Sequence, residues 1–365
     1  VVHLTALLTF LGWTLLGGLA WDRALLLATA VLIITCPCAL ALAVPVVQVV
    51  ASTRLLRSGV LLLSPTALER LAQIDHVVFD KTGTLTLGRP DLVDGPADPA
   101  IRRRAAAMAA SSRHPLAQAL VRAVPDAGPA PAVVEHPGEG LRHGSARLGS
   151  AAFCSVADPL DDGRSELWFS EPGRPAVRFA FADRLRPDAS DVVTSLRHDG
   201  LAVELLSGDR PAAVADAATA VGIADWQAEA TPAAKAQRLA ILAARGKRVM
   251  MVGDGLNDAP ALAAAHASIS PTTAAEATQN AADAVFQGEA LRPVAETFQV
   301  ARRASRLMRQ NLALALLYNL VAVPLAISGE VTPLVAAVAM SSSSLLVIGN
   351  ALRLSAGTPR LQRAR

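Results

Sequence analysis

Two pairs of apolar stretches bracket a long polar block, and that arrangement limits the fold of this chain more than any other feature. Residues about 1–20, 24–50, 311–328 and 333–350 each approach the ~20 apolar residues needed to cross the hydrocarbon core of a bilayer. Backbone in hydrocarbon has no water to bond, so all four are predicted to be membrane-spanning helices. Composition agrees: 52% of the 365 residues are hydrophobic, 18% are charged and the mean hydropathy is +0.37, too apolar for an ordinary soluble protein of this size. The block between the second and third stretches has room for one large soluble domain or two modest ones.

Arginines orient the predicted spans. Arg54 and Arg57 follow the second, Arg302, Arg303, Arg306 and Arg309 precede the third, and Arg353 follows the fourth. The positive-inside bias puts these flanks, and with them the polar block, in the cytoplasm. The net charge of +3 and the pI near 9.1 come largely from these juxtamembrane arginines, so they point to a membrane surface and not to nucleic acid. Three cysteines imply no disulfide framework. The chain opens Val-Val-His-Leu, with neither Met nor a signal-peptide pattern, and is expected to be a fragment.

The second apolar stretch contains Cys36-Pro37-Cys38. Proline inside a span removes a backbone hydrogen bond and leaves carbonyls free, which is tolerated where the helix lines a site and not lipid. Two thiols flanking that break can turn toward one point. As thiolates they suit a soft cation, Cu(I) first and Zn²⁺ second; the bland alternative is a kink with two small side chains.

In the polar block, three apolar runs end in aspartate. "HVVFDKTGTLT" (76–86) is predicted to be a strand over Val77–Phe79 that stops at Asp80; "LAVELLSGDR" (201–210) ends at Asp209; "KRVMMVGDGLNDAP" (247–260) ends at Asp254, with Asp258 four residues on. Helical patterns over Pro211–Val221 and Pro232–Ala244 separate the last two, so a mainly parallel α/β sheet is expected, with the aspartates gathered at its carboxyl edge. Crowded carboxylates need a counter-cation, and oxygen donors select Mg²⁺. The chain has only three lysines, Lys81, Lys235 and Lys247, and one directly follows Asp80 while another lies in a helix after Thr-Pro. A lysine at the same place would offset phosphate charge. Any one such aspartate alone reads as a turn or helix cap.

"DKTGTLT" and "GDGLNDAPAL" resemble the phosphorylation and hinge motifs of P-type ATPases, cation pumps built on a haloacid-dehalogenase-like domain. The resemblance implies that Asp80 is the nucleophile taking the γ-phosphoryl group of ATP, beside Lys81. It further implies that Thr82 and Asp209 line the phosphate site, Lys235 neutralises it, Asp80, Asp254 and Asp258 hold Mg²⁺, and Asn257 supports that loop. "SGD" at 207–209 replaces the usual "TGD", and "DRLRPDA" (183–189) resembles the return from an inserted domain. Inside the insert, "SSRHPLAQAL" and "EHPGEG" are similar to the His-Pro and Glu-x-x-Gly-x-Gly signatures of the nucleotide domain in heavy-metal pumps. His114, Pro115, Glu135, Gly138 and Gly140 are then the expected ATP-binding residues.

Together with Cys-Pro-Cys, the resemblance is to the heavy-metal (IB) subclass. It implies a multi-domain membrane protein: a four-span α-helical bundle, an α/β phosphorylation domain and an inserted α+β nucleotide-binding domain. The expected boundaries are 1–50 for the first two spans, 51–90 and 183–310 for the phosphorylation domain, 91–182 for the nucleotide domain, 311–353 for the last two spans and 354–365 for a cytoplasmic tail. Tyr318, Asn319, Met340 and Ser344 match residues that complete the transported-ion site in the copper branch, whereas the Zn/Cd/Pb branch tends to place a lysine and an aspartate there. A monovalent soft ion, Cu(I) or Ag(I), needs no such carboxylate. "CPCALALAVP" and "AHASISPTTAAE" depart from the commoner copper-pump segments and look like the subgroup that supplies haem–copper oxidase assembly. The implied partners are a cytosolic copper chaperone as donor and an extracytoplasmic copper acceptor.

Soluble phosphatases of this superfamily carry a second aspartate two residues after the nucleophile, where this chain has Thr82, so a longer-lived phosphoenzyme is expected. The family's Thr-Gly-Glu actuator loop has no match; the nearest tripeptide, Ser328-Gly329-Glu330, lies in an outward connection. A chain lacking the actuator is therefore expected. The rival readings are a membrane-tethered phosphatase and a truncated copper-binding protein without turnover.

Overall fold

The computed structural model describes residues 2–158, 164–254, 258–273 and 281–355. They form two compact units, residues 1–73 with 295–365, and residues 74–294.

In the first unit, Trp21–Arg57, Arg292–Ile327 and Pro333–Leu352 are long and apolar enough to cross a membrane. The helix of the first predicted span is Val2–Leu15. Gly17 and Gly18 stop it. A Cβ on Gly17 would lie 2.6 Å from the Trp13 ring, and Gly18 turns the chain at φ 65°. Hydropathy registers the leucines and is blind to this stop.

Trp21–Arg57 is a helix broken twice. Trp21–Ile34 ends where the Thr35 N–H bonds Val31 O; Cys38–Leu42 follows Pro37; Pro45–Arg57 starts on its own proline. Small residues let these pieces approach the other helices: Ala30, Val31 and Ile34 pack with Ala326 and Ala336, and Ala39 packs with Ala315 and Val347. Leucines such as Leu316, Leu320 and Leu345 point outward, as on a surface facing acyl chains. Residues 51–73 and 295–310, expected in the phosphorylation domain, group with this unit, because the helices Pro45–Arg57 and Arg292–Ile327 run unbroken past those boundaries.

The second unit carries two sheets. In the first, strands Ala284–Phe286, Ala267–Pro271, Val249–Val252, His76–Asp80, Ala202–Leu206 and Asp225–Gln227 lie in that order, all parallel. His76–Asp80 is central and buried throughout, as expected of a continuous apolar run. The helices Pro211–Val221 and Pro232–Ala244 have the bounds read from sequence. Each starts on proline; Gly222 at φ 77° ends the first, and Thr231 Oγ1 caps the second through the Ala234 N–H at 3.2 Å.

The second sheet is antiparallel, in the order Thr86–Asp94, Val177–Leu185, Ser165–Ser170, Ala146–Gly149, Gly140–His143, Val134–His136. Helices Pro99–Ala109 and Pro115–Ala123 cover it over a core that includes Met108, Leu120, Phe169, Phe179 and Phe181. Its two long strands, side by side at one edge, reach back to Thr86 and forward to Leu185, so expected boundaries at 91 and 182 cut through strands.

Candidate active site

Because the strands of the first sheet are parallel, their carboxyl ends share one edge, and three of them deliver the predicted aspartates there. Asp80 terminates His76–Asp80, Asp209 follows Ala202–Leu206 by three residues, and Asp254 follows Val249–Val252 by two. Asp80, Asp254 and Asp258 each offer an oxygen within 4.8 Å of the others. Lys235, on the helix Pro232–Ala244, forms ion pairs with Asp80 and, at 2.7 Å, with Asp258. Asp80, Lys235 and Asp258 are all buried.

One lysine does not balance three carboxylates at such spacing. Burial, and then the charge of Asp258, push Asp80 up to about 7, with Lys235 pulling the other way. Burial and Asp258 likewise raise Asp254 to about 6, opposed by Arg186. Burial would lower the Lys235 ammonium, but Asp80 and Asp258 outweigh it and hold the group above its ordinary value. This uncompensated, all-oxygen donor set fits a hard divalent cation such as Mg²⁺.

The loop after Asp80 is shaped by Gly83. It adopts φ 71°, and a Cβ there would fall 1.5 Å from Asp254 Oδ2. Thr86 Oγ1 accepts the Gly83 N–H at 3.1 Å and donates to Asp183, whose other oxygen accepts the Arg89 N–H at 3.0 Å. Arg186 is the residue that sequence reasoning missed. Its buried guanidinium donates to Thr84 O at 2.7 Å, Gly83 O at 3.0 Å and Gly288 O at 3.0 Å, clamping the loop from behind. The only signal in the sequence was its position in "DRLRPDA".

Lys81 pairs with Asp209, and Thr82 Oγ1 donates to Asp209 Oδ2 at 3.3 Å. These three line a cavity of about 1160 Å³ together with Pro115, Arg164 and Arg210. A second cavity of about 300 Å³ is lined by Ser112, His114, Glu135, Gly138 and Gly140, and Leu116 and Glu166 line both. His114 Nδ1 accepts the Leu116 N–H at 3.3 Å, which fixes the ring and leaves Nε2 for a ligand. Ser112 Oγ donates to Glu135 at 2.9 Å. Gly140 faces Gly149 across two strands: a Cβ on the first would lie 2.4 Å from Leu148 O, and on the second 2.3 Å from Glu139 O. Gly149 was not singled out from the sequence, since its partner is set by strand register. Asn257 lies outside the described residues.

In the membrane unit, the structure joins Cys36 and Cys38 in a disulfide, the oxidised form of the expected thiol pair. Proline between them does turn both sulfurs to one point, and two-electron reduction gives the thiolate pair that a soft cation requires. The packing clusters bracket the other candidates along their helices. Cys36 and Cys38 lie between Ile34 and Ala39, Tyr318 and Asn319 between Ala315 and Ala322, and Met340 and Ser344 between Ala336 and Val347, all members of the two clusters that flank the break. Tyr318 Oη and Asn319 Oδ1 are buried without a hydrogen-bond partner among the described residues. Ser343 and Ser344 both donate back to Met340 O, at 2.8 and 3.3 Å.

A parallel sheet with a buried aspartate at its carboxyl edge, a paired lysine and an inserted second sheet defines a haloacid-dehalogenase-type catalytic unit. Residues 74–266 match the haloacid dehalogenase-like hydrolase family, and the chain belongs to it. It is 50% identical over 368 residues to the nitrogen fixation protein FixI of Bradyrhizobium diazoefficiens, covering 97% of this chain and 50% of that one. It is 36% identical to a copper-exporting P-type ATPase of Mycobacterium tuberculosis, with 97% and 49% covered. Among solved structures, a zinc-transporting PIB-type ATPase in its E2.Pi state superposes with a TM-score of 0.79 at 29% identity, over 97% of this chain and 62% of that one. The fold is that of a heavy-metal P-type ATPase: a multi-domain membrane protein with a phosphorylation-type α/β domain and an inserted nucleotide-type domain. The chain spans about half the length of the curated relatives it matches.

Proposed function

We propose that this chain is the catalytic and C-terminal membrane part of an ATP-driven exporter of Cu(I), or the chemically similar Ag(I), working through an aspartyl phosphate on Asp80. The observation that carries the proposal is the buried Asp80–Lys235–Asp258 cluster beside a cleft that continues into a second, glycine-lined cavity. ATP enters with its base in the smaller cavity against His114, Gly138 and Gly140, and its phosphates toward Lys81, Thr82 and Asp209. An Asp80 oxygen forms a bond to the γ-phosphorus as the bond to the β-bridging oxygen breaks, leaving ADP. Lys235 offsets charge on the transferred group, Arg186 holds the loop carbonyls still, and Asn257 supports the Asp254 loop. Bound Mg²⁺, on Asp80, Asp254 and Asp258, supplies neutralisation of the phosphate charge.

For the cargo, Cys36 and Cys38 as thiolates supply soft donors, and Tyr318, Asn319, Met340 and Ser344 complete the site. The apolar stretches of the last two helices hold no charged residue in reach of a divalent ion, which supports a monovalent cargo over Zn²⁺. The cytosolic donor is a copper chaperone and the acceptor is extracytoplasmic. The departures around "CPCALALAVP" support a role in copper supply to haem–copper oxidase assembly.

The test is labelling of the reduced chain in detergent by γ-labelled ATP with Cu(I), Zn²⁺ or a chelator, with Asp80→Asn as control. Copper-dependent, hydroxylamine-sensitive label on Asp80 is expected. Folded protein that takes no label with any metal would sink the proposal, and metal-independent hydrolysis of small phosphate esters would favour a membrane-tethered phosphatase.

A further inference from the structure

The helix Cys38–Leu42 begins at one of the two sulfurs and ends only five residues later, at the Ala43 cap. A helix so short leaves most of its end carbonyls without internal partners, and a bilayer offers no water to satisfy them. Asn311, fully buried, fills that need: its Nδ2 donates to Ala43 O and Val347 O, both at 3.3 Å. Its Oδ1 accepts from Asn350 Nδ2 at 2.8 Å, and Asn350 Oδ1 accepts from Arg353 at 2.9 Å. Both protons and the oxygen of Asn311 are therefore used, and flipping the amide would set its oxygen against two carbonyls. Only one orientation satisfies the network.

The location gives the network its meaning. Asn311 precedes Tyr318 by seven residues on one helix, about two turns or ~10 Å, and Asn350 follows Ser344 by six on another. The Ala39–Ala315–Val347 cluster adjoins both: Ala39 follows Cys38, and Val347 supplies a carbonyl to the network. A residue needed only for packing could be leucine; a buried carboxamide is costly unless its hydrogen bonds are made.

We propose that Asn311 is a positioning residue for the soft-cation site. It ties the far end of the Cys38 helix to the helices bearing Tyr318–Asn319 and Met340–Ser344, and so sets the spacing between the sulfurs and the remaining donors. The inference rests on the Cu(I) site proposed above.

Cu(I) affinity of the reduced chain in detergent, measured by competition with a chromophoric chelator, tests it. Asn311→Leu is expected to weaken Cu(I) binding by about 10- to 100-fold, the usual cost of losing an outer-shell partner, and Asn311→Gln to recover part of it. X-ray absorption of bound copper should retain the sulfur neighbours and lose a lighter or longer one, a change that mere loosening of the fold would not single out. Unchanged binding of an ATP analogue reports that the second unit is intact, and an unchanged helical circular-dichroism signal with monodisperse elution in detergent reports that the membrane unit is folded. Should Asn311→Leu fail to fold, Asn350→Ala leaves both donor bonds of Asn311 in place and removes the partner of its oxygen, together with the Asn350 contacts to Arg353 and Gln310, and about a fivefold or greater loss of Cu(I) affinity is expected. Copper affinity within twofold of wild type in either folded variant overturns the positioning role. A wild-type chain that binds no Cu(I) instead overturns the cargo reading on which it rests.

Discussion

Gly83, three residues after the proposed nucleophile, has little conformational freedom. Its φ of 71° is strained for other residues, and its missing Cβ is the space that Asp254 Oδ2 fills. Gly83→Ala must displace either the loop or Asp254, so labelling of Asp80 by ATP is expected to fall at least ~100-fold while an ATP analogue still binds. Undiminished labelling would mean that the loop relaxes freely. The same comparison shows what was legible. Asp80, Asp254 and Asp258 could be read because each belongs to a short motif whose chemistry is local. Arg186 and Gly149 could not, because Arg186 acts on carbonyls 102 or 103 residues away and Gly149 matters through the strand register that sets it opposite Gly140.

Between elements, the neighbouring strands His76–Asp80 and Ala202–Leu206 are joined to the helix Pro232–Ala244 through Glu204. It accepts from Arg238 at 2.8 and 3.1 Å and lies 3.3 Å from His76 Nε2. Burial alone would raise the Glu204 carboxyl, but His76 and Arg238 outweigh it and hold the group below its ordinary 4.5. Folding therefore favours the ionised form. The stabilisation is present above pH 4.5 and drains away as pH falls through the lower folded value. Glu204→Gln should cost about 2 kcal/mol at pH 7, less than a fully buried pair because Arg238 is partly exposed, and the gap from wild type should narrow in acid. Denaturant unfolding of both proteins at pH 7 and pH 4 checks this; a gap that widens in acid refutes it. In the second sheet, Gly140→Ala would force apart the strands that meet at Gly149 and weaken binding of an ATP analogue at least about tenfold, measured by calorimetry. At this scale the sequence was informative wherever an element carries its own punctuation. Pro211 and Pro232 opened two helices whose bounds agree with the sequence pattern, whereas the glycine pair after Val2–Leu15 was hidden by the leucines around it.

Over the whole molecule, the proposed function demands that occupancy of one unit govern chemistry in the other. The proposed soft donors lie in the first unit, the proposed nucleophile Asp80 lies in the second, and the chain joins them at residues 73–74 and 294–295. A cargo ion can bias phosphorylation only to the extent that it binds two states of the protein with different affinity. Removing the sulfurs should therefore abolish the metal response while sparing the nucleotide site. For Cys36→Ala with Cys38→Ala, ATP-analogue affinity is expected to remain within twofold of wild type, and Cu(I) is expected to lose its effect on Asp80 labelling. Oxidising the wild-type chain should mimic the double variant, because a disulfide offers no thiolate, and a dithiol reductant should restore the copper response by returning two electrons and two protons. Copper-stimulated labelling that survives in the double variant would place the coupling metal site elsewhere. If labelling instead became fast and independent of copper, the cysteine pair would act as a restraint that copper releases, with its binding energy used to free Asp80.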